Sequence, residues 1–460
     1  MNKRCCLLWV RIKMRQVLDV KRFAYSVAVS AIFITVTPLL PIADCMAAPQ
    51  TPAVESTERY SPATQALVEM VAENQTLKTL LEKTISKAAE INPDPQTNPA
   101  QNLKAYFDYV NWAERAMPWA ILPGVEKNHP KLYNQIDQSL NYFYFVNDRP
   151  LDELKGKGLY IPSIQYVEPY RTWLIGFVRQ YGEFLSSEES WNDQYLAQVK
   201  TDPRFGLESG DYEAPSHWKS FNDFFVRRLA SKDKRPIAEP NDDSVVVFPG
   251  DSVTQGVWSI DEENQLYSLN ETPVGQPDFV AIKSKKFSSV TQLMADSPYR
   301  EAFVGGTMTH TFLDVYDYHR FHFPVSGTIK DVRIIEGDTA LGGYITWDAP
   351  TKTYTLNASI PGWQMIETRA LVVVETKDHG LVAILPIGMS QVSSVKLEDS
   401  VKVGMVVQKG DPLGYFLFGG SDIVMLFQKA VQFDLTVPQN NGRYAHRLMG
   451  EQYGKLTKRK

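Results

Sequence analysis

Tyr415-Phe416-Leu417-Phe418-Gly419-Gly420-Ser421-Asp422-Ile423-Val424-Met425-Leu426-Phe427 places two runs of β-forming residues on either side of Gly-Gly-Ser. Read locally, this is a strand, a tight turn and a strand, because glycine takes positive φ where a side chain would clash. A second reading gives the turn chemistry. With no side chain at Gly419 or Gly420, the Ser421 hydroxyl can approach the carbonyl of Gly420 and cut its own chain. Both readings put sheet near the C-terminus, and the surrounding sequence has to separate them.

Upstream, Val325-Ser326-Gly327-Thr328-Ile329, closed by Glu336-Gly337-Asp338, is echoed by Val403-Gly404-Met405-Val406-Val407, closed by Gly410-Asp411. Each reads as strand, Gly-Asp turn, strand, the pattern of a β-sandwich with two similar halves, as in lipoyl or biotinyl carrier folds. No lysine stands exposed in a hairpin as a carrier requires, so a shared fold would not bring a shared function. Further strands are expected at Val245 to Phe248, running into Pro249-Gly250-Asp251-Ser252, and around Phe279 to Ile282. Alone, Asp251 is a turn residue.

Three of the seven histidines, His310, His319 and His322, fall within thirteen positions. If the segment is extended, His319 and His322 point to opposite faces, so one can pack while the other serves as a general base near neutral pH. A zinc site would need further ligands, and neither a His-Glu-x-x-His motif nor a cysteine pair is present, so no metal is expected.

Before the β-region, Ser220-Phe221-Asn222-Asp223-Phe224-Phe225-Val226-Arg227-Arg228-Leu229 predicts a capped short helix that buries its phenylalanines and turns Arg227 and Arg228 outward. Ser61-Pro62 opens a longer helix with Leu67, Met70, Val71, Leu77, Leu81 and Ile85 on one stripe, ending before Asn92-Pro93. From about 100 to 200 aromatic residues are dense, including Tyr106, Tyr109, Trp119, Tyr142 to Phe145, Tyr170, Trp173 and Phe177, with proline turns at Pro118, Pro123, Pro130, Pro150 and Pro162. A helical domain with an aromatic core is the expectation, and a lipid-binding surface is the alternative. The fold class is therefore α+β: a helical domain over 61–215, then a β-rich, sandwich or barrel-like domain over 216–460.

The N-terminus reads as an address. Lys3, Arg4, Arg11, Lys13, Arg15, Lys21 and Arg22 precede the apolar run Phe23 to Leu40, and small residues follow near Ala47-Ala48. Residues 1–48 are read as an export signal, with an uncleaved anchor as the alternative, and 49–60 as a linker. The expected location is exported, periplasmic or membrane-associated. All three cysteines, Cys5, Cys6 and Cys45, lie in or beside this leader, so no disulfide framework is available. The chain carries −5 overall and about −10 beyond the leader, which argues against a nucleic-acid partner.

Taken together, Phe221-Asn222-Asp223-Phe224-Phe225-x-Arg227-x-Leu229 with Arg235-Pro236-Ile237, the Pro249-x-Asp251 turn, Gly305-Gly306 before Asp317-Tyr318-His319-Arg320-x-His322-x-Pro324, and Lys409-Gly410-Asp411 leading into Gly419-Gly420-Ser421 resemble the phosphatidylserine decarboxylase family. The resemblance runs from about Lys219 to Phe427. The 100 to 215 region looks like an extension found in a subset of the family that includes decarboxylases of free aromatic amino acids.

The resemblance implies a proenzyme cut between Gly420 and Ser421, with Ser421 becoming a covalent pyruvoyl cofactor. His322 is then the base that activates Ser421, and Asp251 orients it in an acid-base-nucleophile relay. His319 assists reprotonation or holds the substrate carboxylate. The substrate amine would form a Schiff base with the pyruvoyl ketone, turning phosphatidylserine into phosphatidylethanolamine, or decarboxylating a free amino acid such as tryptophan. Implied partners are the cleaved C-terminal fragment, the substrate, a membrane surface and further copies of the chain. Ser252, Asp422 and the absence of a glycine near Ser393 depart from the family's pattern and leave the substrate open. The competing class is a non-catalytic exported binding protein of the same fold.

Overall fold

Apolar residues spaced by three and four after Ser61-Pro62 wind into two helices where the sequence suggests one. In the computed structural model, which describes residues 60–118, 138–155, 161–262, 266–268, 290–337, 344–357, 364, 366–388 and 395–459, Ser61 caps α1 (Pro62–Glu73) by accepting the Thr64 N–H at 3.2 Å. Asn74 breaks the run. Its extended backbone ends α1, and its side chain accepts the Leu77 N–H at 3.0 Å to start α2 (Gln75–Ile91). The joint leaves Leu67, Val71, Leu77, Leu81 and Ile85 on one buried stripe.

The helical layer continues with α3 (Leu103–Ala113), α4 (Gln138–Asn147), α5 (Tyr170–Leu185) and α6 (Asp193–Thr201). Its described aromatic residues are mostly spent in the core. Tyr106, Tyr109, Tyr142, Tyr144, Phe145 and Tyr170 are all buried. The hydroxyls of Tyr106, Tyr109, Tyr142 and Tyr170 are bonded as buried phenols require: Tyr142 donates to Asn98 Oδ1 and Tyr109 to the Ser139 carbonyl, each at 2.7 Å, and those of Tyr106 and Tyr170 bond each other. Two short helices follow, α7 (Phe221–Phe225) and α8 (Val290–Leu293).

In chain order the strands are β1 (Val245–Val247), β2 (Ser252–Ile260), β3 (Leu266–Ser268), β4 (Thr307–Phe312), β5 (Arg320–His322), β6 (Gly327–Ile335), β7 (Tyr344–Asp348), β8 (Thr353–Asn357), β9 (Arg369–Glu375) and β10 (Leu381–Ile387). They continue with β11 (Val395–Leu397), β12 (Val406–Val407), β13 (Pro412–Phe416), β14 (Asp422–Phe427), β15 (Val431–Leu435), β16 (Gln439–Asn440), β17 (Arg443–Tyr444), β18 (His446–Arg447) and β19 (Gln452–Lys458). Nine form one antiparallel sheet in the order β12-β6-β9-β10-β14-β4-β2-β18, with β3 beside β2. Two smaller sheets, β1-β19-β15 and β11-β13-β5, accompany it. The two echoed segments of the sequence meet here, since Val406 and Val407 of β12 pair with Thr328 and Gly327 of β6.

β14 lies in the middle of the large sheet and is buried along its whole length. Ile423, Met425 and Phe427 pack into one core with Phe321 and Phe416. Val424 and Leu426 pack into another with Trp258, Met308 and Leu385. A strand covered on both faces reads as an unbroken apolar run, as this one does in the sequence.

Residues Glu58–Lys460 cluster as one unit. The β7-β8 hairpin joins helices to sheet: Ile345 and Tyr354 belong to the helical core. The Tyr354 hydroxyl donates to the Thr97 carbonyl at 2.9 Å, and Arg149 Nη2 donates to the Ile345 carbonyl at 2.7 Å. Among the described residues no helix is long and apolar enough to cross a membrane. The leader over 1–48, the linker up to residue 59, Trp119, Pro123, Pro130, the strand expected at Phe279 to Ile282, Asp338 and Ser393 lie outside the described residues.

Candidate active site

The turn at Ser421 is held from below by α7. Ser220 accepts the Asp223 N–H and Asp223 accepts the Ser220 N–H, both at 3.0 Å, closing a capping box around a helix of five residues. Phe221 and Phe225 meet the Phe418 ring edge-on, at centroid distances of 5.4 and 5.3 Å, and Asn222 Oδ1 accepts the Phe418 N–H at 3.0 Å. Phe418 thereby fixes the entry to Gly419 and Gly420, whose φ angles of 137° and 125° exclude other residues without strain. Ser421 emerges buried. Its carbonyl accepts the Leu313 N–H at 3.0 Å, and its hydroxyl makes a long bond of 3.5 Å to the Leu313 carbonyl.

Phe225 also carries His319, stacked at 3.8 Å between centroids. His319 Nδ1–H donates to the Asp317 carbonyl at 2.9 Å. Arg227 Nη2 donates to the same carbonyl at 3.1 Å and to that of Tyr316 at 2.8 Å. Arg227 was expected to face outward, and it is instead wholly buried, with its guanidinium 4.4 Å over the Tyr212 ring. The helix ends at Phe225, so Arg227 leaves the helical face and turns into an aromatic box. Burial, with the Arg227 charge adding to it, holds His319 well below the usual imidazole pKa. In this tautomer Nε2 carries the lone pair. It can accept and return a proton, but it offers no N–H to a carboxylate.

His322 closes β5, its backbone N–H donating to the Pro249 carbonyl at 2.7 Å. Its Nδ1–H donates to the Gly410 carbonyl at 2.8 Å, which leaves Nε2 to accept the Tyr318 hydroxyl at 3.1 Å. Burial pushes its pKa down to about 4. Gly410 has φ 84°, and a Cβ there would come within 2.4 Å of Ile237, so the turn that aims this carbonyl at the imidazole requires glycine. The two histidines thus occupy separate environments, as an extended segment dictates.

Asp251 does not orient His322 through a hydrogen bond. Its carboxylate takes Arg235 Nε at 3.1 Å and Nη2 at 2.8 Å, and Oδ1 also accepts the Met449 N–H at 2.7 Å. Its influence on His322 is through space, opposing the downward shift. The orienting acceptor is Gly410, which a sequence cannot reveal because the group is a backbone carbonyl. Arg235 and Asp251 are both nearly enclosed. Asp251→Asn, which removes the nearer carboxylate and leaves the guanidinium only Asp211 at 3.6 Å, is expected to lower unfolding free energy by about 3 kcal/mol, measured by urea denaturation of the purified protein.

Ser421 and His322 share no hydrogen bond among the described residues. A cleft of about 340 Å³ opens beside His322, lined among others by Arg228, Lys232, Tyr318, Asp411 and Met449. His310 lies on β4, bonded to Asp422. No cluster of three or more potential metal ligands occurs among the described residues. The site suits a group made from residue 421: the side chain is shielded from water, Leu313 grips the carbonyl, and the neighbouring glycines leave the backbone open to attack. Sequence reading passed over Tyr318, Leu313 and the Arg235–Asp251 pair as contacts. Arg235 and Tyr318 were legible as motif residues, and Leu313 left no signal.

The family model described as phosphatidylserine decarboxylase matches residues 221–455, just over half of the chain. The chain is similar to phosphatidylserine decarboxylase proenzyme 2 of Oryza sativa subsp. japonica, 31% identical over 276 residues, which cover 58% of this chain and 39% of the relative. It is likewise similar to phosphatidylserine decarboxylase proenzyme 3 of Schizosaccharomyces pombe, 31% identical over 258 residues, 54% of this chain and 23% of the relative. Similarity to decarboxylase iboD of Amanita muscaria is 30% over 269 residues, 55% of this chain and 72% of that protein. The chain spans well under half the length of the first two. With the family model matched over more than half of its length, the chain belongs to the phosphatidylserine decarboxylase family.

Proposed function

We propose that this chain is a self-processing, pyruvoyl-dependent carboxy-lyase that converts phosphatidylserine to phosphatidylethanolamine. The observation that carries the reading is Ser421, buried after two positive-φ glycines and bracketed by Leu313, in a chain whose relatives are named as proenzymes. Ser421 attacks the Gly420 carbonyl. His322, neutral and with its lone pair on Nε2, is the base. To take the proton it must trade the Tyr318 hydroxyl for that of Ser421, or receive the proton through Tyr318 as a relay. The fragment Ser421–Lys460 stays in place because β14 is laddered on both sides, to β10 and β4.

The ketone made from residue 421 supplies an electrophile that takes up the substrate amine and draws off the electron pair left by carbon dioxide. Around it, His319 Nε2 takes the proton that the substrate ammonium gives up on condensation and delivers it to the substrate carbon once carbon dioxide has left, a role its tautomer permits. The leader would export the proenzyme, and the membrane would then be its source of substrate.

A second reading, decarboxylation of a free amino acid, stands beside it because iboD, of which the matched region covers most of the length, is named as a decarboxylase with no phospholipid in its name. Carbon dioxide release from phosphatidylserine vesicles, assayed beside free tryptophan, separates the two. Release from the vesicles is expected, and release from tryptophan alone would overturn the phospholipid reading.

A further inference from the structure

Asp422, the first residue of β14, and His310 of β4 are both wholly shielded from solvent, and His310 Nε2–H donates to Asp422 Oδ1. Asp422 pairs with Phe312 and His310 with Val424, so the bond runs diagonally across the ladder, within reach of neighbouring strands. It crosses an apolar layer formed by Val424, Leu426, Met308 and Trp258, with the Trp258 ring 6.4 Å from the imidazole. A buried polar pair in such a layer costs desolvation that apolar side chains would avoid, and its best-attested return is a fixed register.

Register matters at this strand. A slip of one residue would turn every β14 side chain to the other face and carry residue 421 away from Leu313. While the chain is whole, residue 421 is tethered on both sides. Once the bond to Gly420 is cut, it becomes a chain end, and chain ends fray unless tied down.

We propose that the His310–Asp422 bond is a register pin for the new chain end, holding β14 on β4 so that residue 421 stays seated opposite Leu313 after cleavage. The inference rests on the cleavage reading above. Both are positioning residues, acting through the strand and not on the substrate.

The test replaces both partners by leucine, His310→Leu with Asp422→Leu, because removing a buried pair together can leave stability unchanged or raised. The variant is expected to keep its melting temperature and to cleave, yet to lose turnover by about 100-fold, the effect of a displacement on the order of 1 Å at a reacting group. A second readout is capture of the ketone by phenylhydrazine, which forms a C=N bond and releases the ketone oxygen as water. Capture should be about tenfold faster in the variant, a difference of roughly 1.4 kcal/mol in barrier. Asp422→Asn, which keeps an acceptor for His310, restores both readouts. If the double variant does not fold, Asp422→Ala, which withdraws the acceptor, carries the same comparison. Wild-type turnover and capture in a variant lacking the bond would overturn the pin. An uncut wild-type chain would instead overturn the cleavage reading.

Discussion

Ser421→Ala is expected to leave the purified protein as one chain on a denaturing gel, with carbon dioxide release at background. Under the proposed mechanism the substitution removes the nucleophile and the precursor of the ketone together. It should spare the fold, because the Leu313 bracket on this residue is a backbone hydrogen bond of 3.0 Å that alanine keeps. The hydroxyl contributes one long contact at 3.5 Å, and its loss should cost no more than about 1 kcal/mol. A normal melting temperature beside an uncut chain assigns the defect to chemistry.

His322→Gln should slow cleavage by about 10²–10⁴-fold, the usual contribution of a general base. Glutamine can still donate to the Gly410 carbonyl, so the site keeps its shape while losing a basic nitrogen. The pH dependence separates this base from an ordinary histidine. Its pKa of about 4 lies below the usual value, so the imidazole stays neutral and competent from pH 8 down to about 5. The cleavage rate of freshly translated proenzyme should therefore be flat over that range, and an inflection near pH 6.5 would contradict the assignment. Stability moves the other way in acid. Between about pH 6.5 and 4 the unfolded chain binds a proton that folded His322 refuses, so unfolding free energy falls as pH is lowered through that window.

The sheet and the Gly-Gly-Ser turn were legible because their cues are local. An apolar run flanking Gly-Gly-Ser is a doubly covered strand wherever it lies, and Ser220 with Asp223 announces its own capping box. What escaped reading depends on partners distant in sequence. Asn74 could continue a helix or cap the next one, and the choice belongs to its side chain. Arg227 looked like a surface charge until Tyr212 and two carbonyls enclosed it. Asp251 was matched with a histidine although its carboxylate is occupied by Arg235 and Met449. The His310–Asp422 bond appears once β4 and β14 are set in register, and no spacing in the sequence foretells it.

The measurement closest to the central claim is the intact mass of the small fragment from purified wild-type protein. Self-processing at Ser421 predicts the mass of Ser421–Lys460 less one ammonia, with an N-terminus that resists Edman degradation. An uncut chain, or a fragment beginning with a free serine, would contradict it.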